Sequence, residues 1–156
     1  MTSTNSCTTV SCRAWRMKGF CAGRLAIHDV VEFLHDRVLD RLALAPLDAA
    51  VAVHPVCSVR KMGTEEKLAA IAARCAARVV TVPEVRCCGF AGDKGFTRPE
   101  LNAHALRKLP AALPANCRSG VSSSRTCEIG LSEHSGIPYR SIVLLVDEAS
   151  SGAGCG

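Results

Sequence analysis

The order of predicted secondary structure constrains the fold of this chain more than any other feature of its sequence. One helix comes first, then strands and helices alternate three times, and a last strand follows. Helices are predicted at 29–42, at 65–76, between Thr97 and Pro110, and at 125–134; strands are predicted at 49–53, 78–82, 116–122 and 141–146. Such alternation is typical of an α/β protein. We therefore expect a small, mostly parallel sheet of about four strands, with helices on both faces.

Local patterns support several of these elements. Asp29 is a plausible N-cap for the first helix, and apolar residues recur behind it at helical spacing. In the helix after Thr97, the side chains of Leu101, Ala105 and Leu109 are expected to form the inner face. The apolar run SIVLLV at 141–146 is the clearest predicted strand. Cys57 is predicted to lie in a turn after the first strand.

The cysteines are not spread evenly over this predicted fold. Of ten cysteines, four follow strands, in the connections that lead to helices: Cys57, Cys87, Cys88 and Cys127. In a parallel sheet these connections all lie at the carboxyl edge, which is where α/β proteins form their binding sites. Cys75 lies at a core position of a predicted helix instead. We therefore expect four thiols to converge at the carboxyl edge of the sheet, and Cys75 to be buried elsewhere.

The stretch CCGFAGDKGF, residues 87–96, sets two adjacent cysteines among three glycines. Adjacent cysteines seldom form a disulfide with each other, whereas flexible backbone lets two thiolates reach one metal centre. An iron–sulfur cluster or zinc is therefore predicted at Cys57, Cys87, Cys88 and Cys127. Hydrogen bonds to cluster sulfur are predicted from the backbone amides of Gly89, Phe90 and Gly92. His54 is expected to pack beside Pro55 rather than to bind the metal.

Composition and charge narrow the classes of function. The net charge is +5, but the basic residues are scattered without interleaved aromatic residues, which argues against nucleic-acid binding. The longest apolar run, 42–53, is broken by Pro46 and Asp48, so no transmembrane segment is predicted. The first residues lack the apolar core of a signal peptide. We therefore expect a reduced, cytoplasmic compartment rather than a secreted disulfide scaffold.

Four stretches of the sequence together resemble a known family. They are HPVCSVRKMG at 54–63, CCGFAGDKGFTRPEL at 87–101, SSSRTCEIGL at 122–131 and EHSGIPYRSIVLLVDEA at 133–149. They resemble the cysteine-rich CCG domain that occurs in heterodisulfide reductase and in the iron–sulfur subunit of glycolate oxidase. The resemblance is greatest to the C-terminal part of FAD-linked D-lactate dehydrogenases. It covers residues 25–149, which leaves 1–24 as an irregular segment, the remnant of a preceding cysteine-rich repeat, and 150–156 as a flexible tail.

The resemblance implies an electron-transfer role. The family's cysteines bind an iron–sulfur cluster, and by position they correspond to Cys57, Cys87, Cys88 and Cys127. Ser124 stands where the family has the first cysteine of its closing CxxC motif, so four thiolates remain instead of five. Four suffice for a cluster of the four-iron type or for zinc, but not for a five-cysteine cluster. The FAD would lie on a flavin-binding dehydrogenase domain or subunit that oxidises a D-2-hydroxyacid such as D-lactate or glycolate. The electron acceptor would be a quinone or a cytochrome.

Other functions stay open alongside this one. The same cysteines suit a zinc-binding structural or docking domain, and they are also consistent with four unrelated loop cysteines or a truncated, non-functional remnant. The sequence contains no GxGxxG motif and no closely spaced C-x2-C-x2-C run, so this chain alone is not expected to be an active dehydrogenase. Attachment to the inner face of a membrane would occur only through a partner.

Overall fold

A four-stranded, fully parallel sheet forms the centre of the computed structural model, which describes residues 26–152. The strands are β1 (Leu47–Val53), β2 (Ala76–Thr81), β3 (Cys117–Ser122) and β4 (Tyr139–Ser141), and they lie in the order β2-β1-β3-β4. Each neighbouring pair is parallel. The predicted α/β fold with a small parallel sheet is confirmed. The predicted N-terminal segment 1–24 lies outside the described residues.

The helices connect these strands and cover the sheet. They are α1 (Val30–Phe33), which continues through a π-helical turn (Leu34–Val38) and a 3-10 turn (Leu39–Arg41), then α2 (Cys57–Met62), α3 (Glu65–Cys75), α4 (Pro99–Leu106), α5 (Leu109–Ala112), α6 (Arg125–Ser135) and α7 (Ile142–Gly152). A short 3-10 turn, Lys94–Phe96, precedes α4. The Asp29 side chain accepts a hydrogen bond from the Val31 amide at 2.9 Å, as expected of an N-cap.

The helices lie on two faces because the crossovers run in opposite directions. The connection from β1 to β2 moves one way across the sheet, and the connections to β3 and β4 move the other way. Right-handed crossovers then place α3 on one face and α4 to α6 on the other. The packing agrees, since α3 contacts α1 and α7, whereas α6 contacts α4 and α5. The last four residues of β1, 50–53, are buried between these layers, as is usual for the central strand of a parallel sheet.

The C-terminal apolar run 141–146 is not a strand, so that prediction was wrong. β4 ends at Ser141, and the rest of the run belongs to α7. The buried side chains recur at helical spacing: Ile142, Leu145, Val146 and Ala149. A short, unbroken apolar run shows no clear period of its own. Ala149, seven residues after Ile142, shows that the helical spacing continues beyond the run. The helix continues to Gly152, past the predicted start of the tail.

The helix predicted between Thr97 and Pro110 corresponds to α4, which also differs from its prediction. It begins at Pro99 with Arg98 as its N-cap, rather than at Thr97. Leu101 is 46% exposed, so the predicted inner face was wrong there, and the buried positions of α4 are Asn102 and Leu106. With this rotation, Asn102 points inward and donates a hydrogen bond to the Cys88 carbonyl oxygen.

Within the described residues, no helix is long and apolar enough to cross a membrane.

Candidate metal centre

Four cysteine side chains meet at the carboxyl edge of the sheet. They form what we name the cysteine site: Cys57, Cys87, Cys88 and Cys127. The sulfurs of Cys57 and Cys87 lie 3.6 Å apart, and those of Cys88 and Cys127 lie 2.9 Å apart. The two pairs are close enough for Cys57 to interact electrostatically with both Cys88 and Cys127. Cys75 is buried in α3, as predicted, and Cys117 is buried in β3.

Two members of the cysteine site lie in the first turn of a helix. Cys57 is the first residue of α2, so its predicted turn position was wrong, and Cys127 is the third residue of α6. Both helices begin a few residues after a strand, which brings them to the same edge of the sheet. The first turn of a helix carries unpaired N–H groups and partial positive charge, which favour a thiolate, but contacts with neighbouring cysteines and burial outweigh this effect at both residues.

The CCG loop, residues 87–96, brings the other two cysteines to this edge. Gly89 has a φ of +74°, and a Cβ built there would lie 2.5 Å from the Leu101 carbonyl oxygen. Only glycine combines this backbone conformation with such a close approach to α4. The Gly89 amide donates a hydrogen bond to the Cys87 sulfur at 3.3 Å. Further along, the buried ring of Phe90 packs edge-to-face against Phe96, with ring centroids 4.8 Å apart.

Asn102 connects the CCG loop to two helices, and the sequence analysis missed it. This side chain of α4 is 2% exposed and donates a hydrogen bond to the Cys88 carbonyl oxygen. It also packs against Gly130 of α6, where any Cβ would collide with the Asn102 amide. Since α6 carries Cys127, Asn102 helps to set both sides of the buried pair. The sequence could have indicated this role, because Asn102 lies four residues before Leu106 and therefore on the same buried face of the helix.

The contact between Cys88 and Cys127 distributes their protons unequally. A hydrogen bond from the Cys127 thiol, aided by the Phe90 backbone amide, lowers the pKa of Cys88 to about 6. The same contact, together with burial, raises the pKa of Cys127. Burial and the neighbouring Cys87 raise the pKa of Cys57. The contact therefore favours the thiolate form of Cys88 over that of Cys127.

The donor set fits an all-cysteine metal centre, although the sulfurs are not spaced for one. Tetrahedral zinc with sulfur ligands requires sulfur–sulfur distances of about 3.8 Å. The exposed pair, at 3.6 Å, is close to this value, and the buried pair would have to separate by about 1 Å. Within residues 26–152, no group of three or more potential ligand side chains is placed so that it could hold one metal ion.

The remaining predicted residues take different places around the cysteine site. The backbone amides of Gly89 and Phe90 face cysteine sulfurs. Gly92 instead lies in a turn, where its φ is +78° and no heavy atom lies within 4 Å of the position that a Cβ would take. Ser124 is the N-cap of α6, and its hydroxyl group interacts with the Cys127 thiol. His54 is 5% exposed at the end of β1, where burial and the nearby Arg60 cation lower the pKa of its imidazole to about 4.

The fold and the site define an α/β domain with a four-cysteine site at the carboxyl edge of its parallel sheet. Comparison with known proteins identified no matching family model, no matching curated protein and no matching solved structure.

Proposed function

We propose that this chain is an iron–sulfur electron-transfer module, the C-terminal part of an FAD-linked D-2-hydroxyacid dehydrogenase that acts on D-lactate or glycolate. The observation that supports this most is the meeting of four cysteine side chains at one edge of the sheet. Four cysteine thiolates are the usual ligands of a four-iron cluster. The resemblance of the surrounding motifs to the CCG family supports the same assignment.

In this proposal the protein's own residues hold and tune the cluster. Cys57, Cys87, Cys88 and Cys127 are its ligands. The amides of Gly89 and Phe90 donate hydrogen bonds to ligand sulfurs, which stabilises added negative charge and so raises the reduction potential. When bound, the cluster supplies one-electron transfer. Because Cys57 and Cys87 are exposed while Cys88 and Cys127 are buried, one side of the site faces the surface, where a partner can approach.

The proposed partners are the flavin-binding dehydrogenase domain or subunit and an electron acceptor such as a quinone or cytochrome. Phe96, at the end of the CCG loop, and Leu101 of α4 leave apolar surface exposed, and Lys94 and Arg98 lie near them in the chain. An apolar contact with charged neighbours is typical of docking surfaces. We propose a cytoplasmic location, with association to the inner face of a membrane only through a partner.

A zinc-binding structural or docking domain is the second candidate. The 3.6 Å distance between the sulfurs of Cys57 and Cys87 is close to the spacing of two ligands on tetrahedral zinc. In this case the bound metal would stabilise the fold without transferring electrons.

Anaerobic reconstitution distinguishes these proposals. The full chain is incubated with ferrous iron, sulfide and a thiol reductant, desalted, and analysed for iron, sulfide and zinc, together with its optical and EPR spectra. The iron–sulfur proposal predicts a brown protein with about four iron and four sulfide per chain, bleached by dithionite. A colourless protein with stoichiometric zinc would support the second candidate instead. A folded chain that retains neither metal would contradict both.

A further inference from the structure

We infer that Cys88 and Cys127 form a reversible disulfide in the metal-free chain, so that the buried half of the cysteine site is also a two-electron thiol–disulfide couple. This activity goes beyond the proposed function and does not depend on a bound metal. The inference rests on the geometry and surroundings of this pair.

The distance between the two sulfurs singles out this pair. At 2.9 Å, the Cys88 and Cys127 sulfurs are closer than two ligands of one metal ion, and they lie within about 1 Å of a disulfide bond length. The exposed pair, Cys57 and Cys87, is more widely separated at 3.6 Å. Bond formation therefore needs the smallest movement at the buried pair.

The surroundings hold the backbones of the two cysteines close together. Cys88 lies in the CCG loop, which has three residues at positive φ: Gly89, Ala91 and Gly92. Cys127 lies in the first turn of an 11-residue helix, which holds its backbone in place. Asn102 binds the Cys88 carbonyl oxygen and packs against Gly130 of the same helix, so the two backbones stay close. A side-chain movement of about 1 Å then suffices to bring the sulfurs into bonding distance.

The other two described cysteines lack this geometry. Cys75 is fully buried in α3, and the Cys117 thiol is directed to the Ser119 carbonyl oxygen at 3.4 Å. In the described part of the chain, sulfur–sulfur contacts occur within the cysteine site only. Cys75 and Cys117 therefore serve as internal controls for nonspecific oxidation.

The reaction balances with a peroxide as the oxidant. The Cys88 sulfur attacks one oxygen of hydrogen peroxide, the O–O bond breaks, and Cys88 sulfenic acid and water are formed. The Cys127 sulfur then attacks the sulfenic sulfur, the S–S bond forms, and a second water leaves. Two thiols lose two electrons in total, and the peroxide gains them. A dithiol or phosphine reductant restores both thiols.

Tryptic mapping tests the inference directly. The full chain is reduced, stripped of metal with a chelator, treated with one equivalent of hydrogen peroxide, alkylated and digested. We expect a cross-link between peptide 87–94 and peptide 126–140, located to Cys88 by fragmentation and reversed by phosphine. The cross-link should persist in Cys87→Ser and in Cys75→Ser, and it should be lost in Cys127→Ser. A dominant link between 42–60 and 87–94, or alkylated Cys88 and Cys127 after oxidation, would overturn the inference.

The tryptic peptide map of the wild-type chain is a sufficient test even if a cysteine variant does not fold. A second arm loads the chain with zinc, or with iron and sulfide, before peroxide is added. Protection from the cross-link is expected if the cysteine site binds that metal. A cross-link that forms equally with and without added metal would count against the proposed function and would leave the disulfide inference standing.

Discussion

The two halves of the cysteine site use the same residue type in different surroundings. Cys57 and Cys87 are exposed, and their sulfurs are 3.6 Å apart. Cys88 and Cys127 are 3% and 8% exposed, their sulfurs are 2.9 Å apart, and Asn102 and Gly130 pack around them. The buried half is held by tertiary packing, whereas the exposed half joins the first residue of α2 to the CCG loop at the surface. The comparison indicates that burial, rather than residue type, determines how firmly each thiol is positioned.

The largest predicted effect is loss of the metal when one thiol of the buried half is removed. Cys127→Ser should lose essentially all bound iron on anaerobic reconstitution, because a serine hydroxyl is a poor replacement for a thiolate ligand. The matched control is Cys75→Ser, which removes a buried thiol outside the cysteine site and should retain iron. The quantity to measure is the content of iron and sulfide per folded chain. Equal iron loss in both variants would contradict the assignment of Cys127 to the cysteine site and of Cys75 to a position outside it.

Two glycines of the CCG loop allow a matched test of packing. Gly89→Ala should lower the free energy of unfolding by about 3 kcal/mol, since it combines strain at positive φ with a clash against the Leu101 carbonyl. Gly92→Ala has the same kind of φ but open space around it, so a loss of about 1 kcal/mol is expected. Urea denaturation of both variants measures the difference. Equal losses would show that backbone strain alone, without the contact to α4, accounts for the effect.

Removal of the Asn102 side chain should weaken the buried half more than the exposed half. Asn102→Ala leaves the Cys88 carbonyl without its side-chain donor and is expected to cost about 2 kcal/mol in unfolding free energy. The rate of Cys88–Cys127 cross-linking should fall, because the loop is no longer held against α4 and α6. Alkylation of the exposed Cys57 should stay near its wild-type rate. A variant in which both pairs change equally would contradict the separate support of the two halves.

The smallest predicted effect is a pH dependence from His54, which lies just before the exposed half in sequence. Burial lowers the pKa of His54 to about 4 from an ordinary value of 6.5, so the unfolded chain binds a proton that the folded chain excludes. The contribution of His54 to stability is therefore fully present above pH 6.5 and is lost as the pH decreases toward 4. Between about pH 7.5 and pH 5.5 the loss should be about 1.4 kcal/mol, and His54→Asn should remove it. Identical pH profiles for the two proteins would refute a buried neutral imidazole.

The sequence by itself determined the fold class and the edge at which the cysteines meet. Hydrophobic periodicity and alternating elements are local properties, and they sufficed for the parallel sheet, for Cys75 in the core, and for the convergence of strand-to-helix connections. Convergence follows from chain direction alone, because every parallel strand ends at the same edge.

Only the tertiary structure decided how the four thiols divide into an exposed and a buried pair. That division depends on the contacts of the CCG loop with α4 and α6, through Asn102 and Gly130, which are far apart in the sequence. The helical state of 142–152 was likewise decided by packing against α3 and the sheet. Distances between sulfurs and the choice between strand and helix for a short apolar run both depend on long-range contacts, which local patterns do not encode.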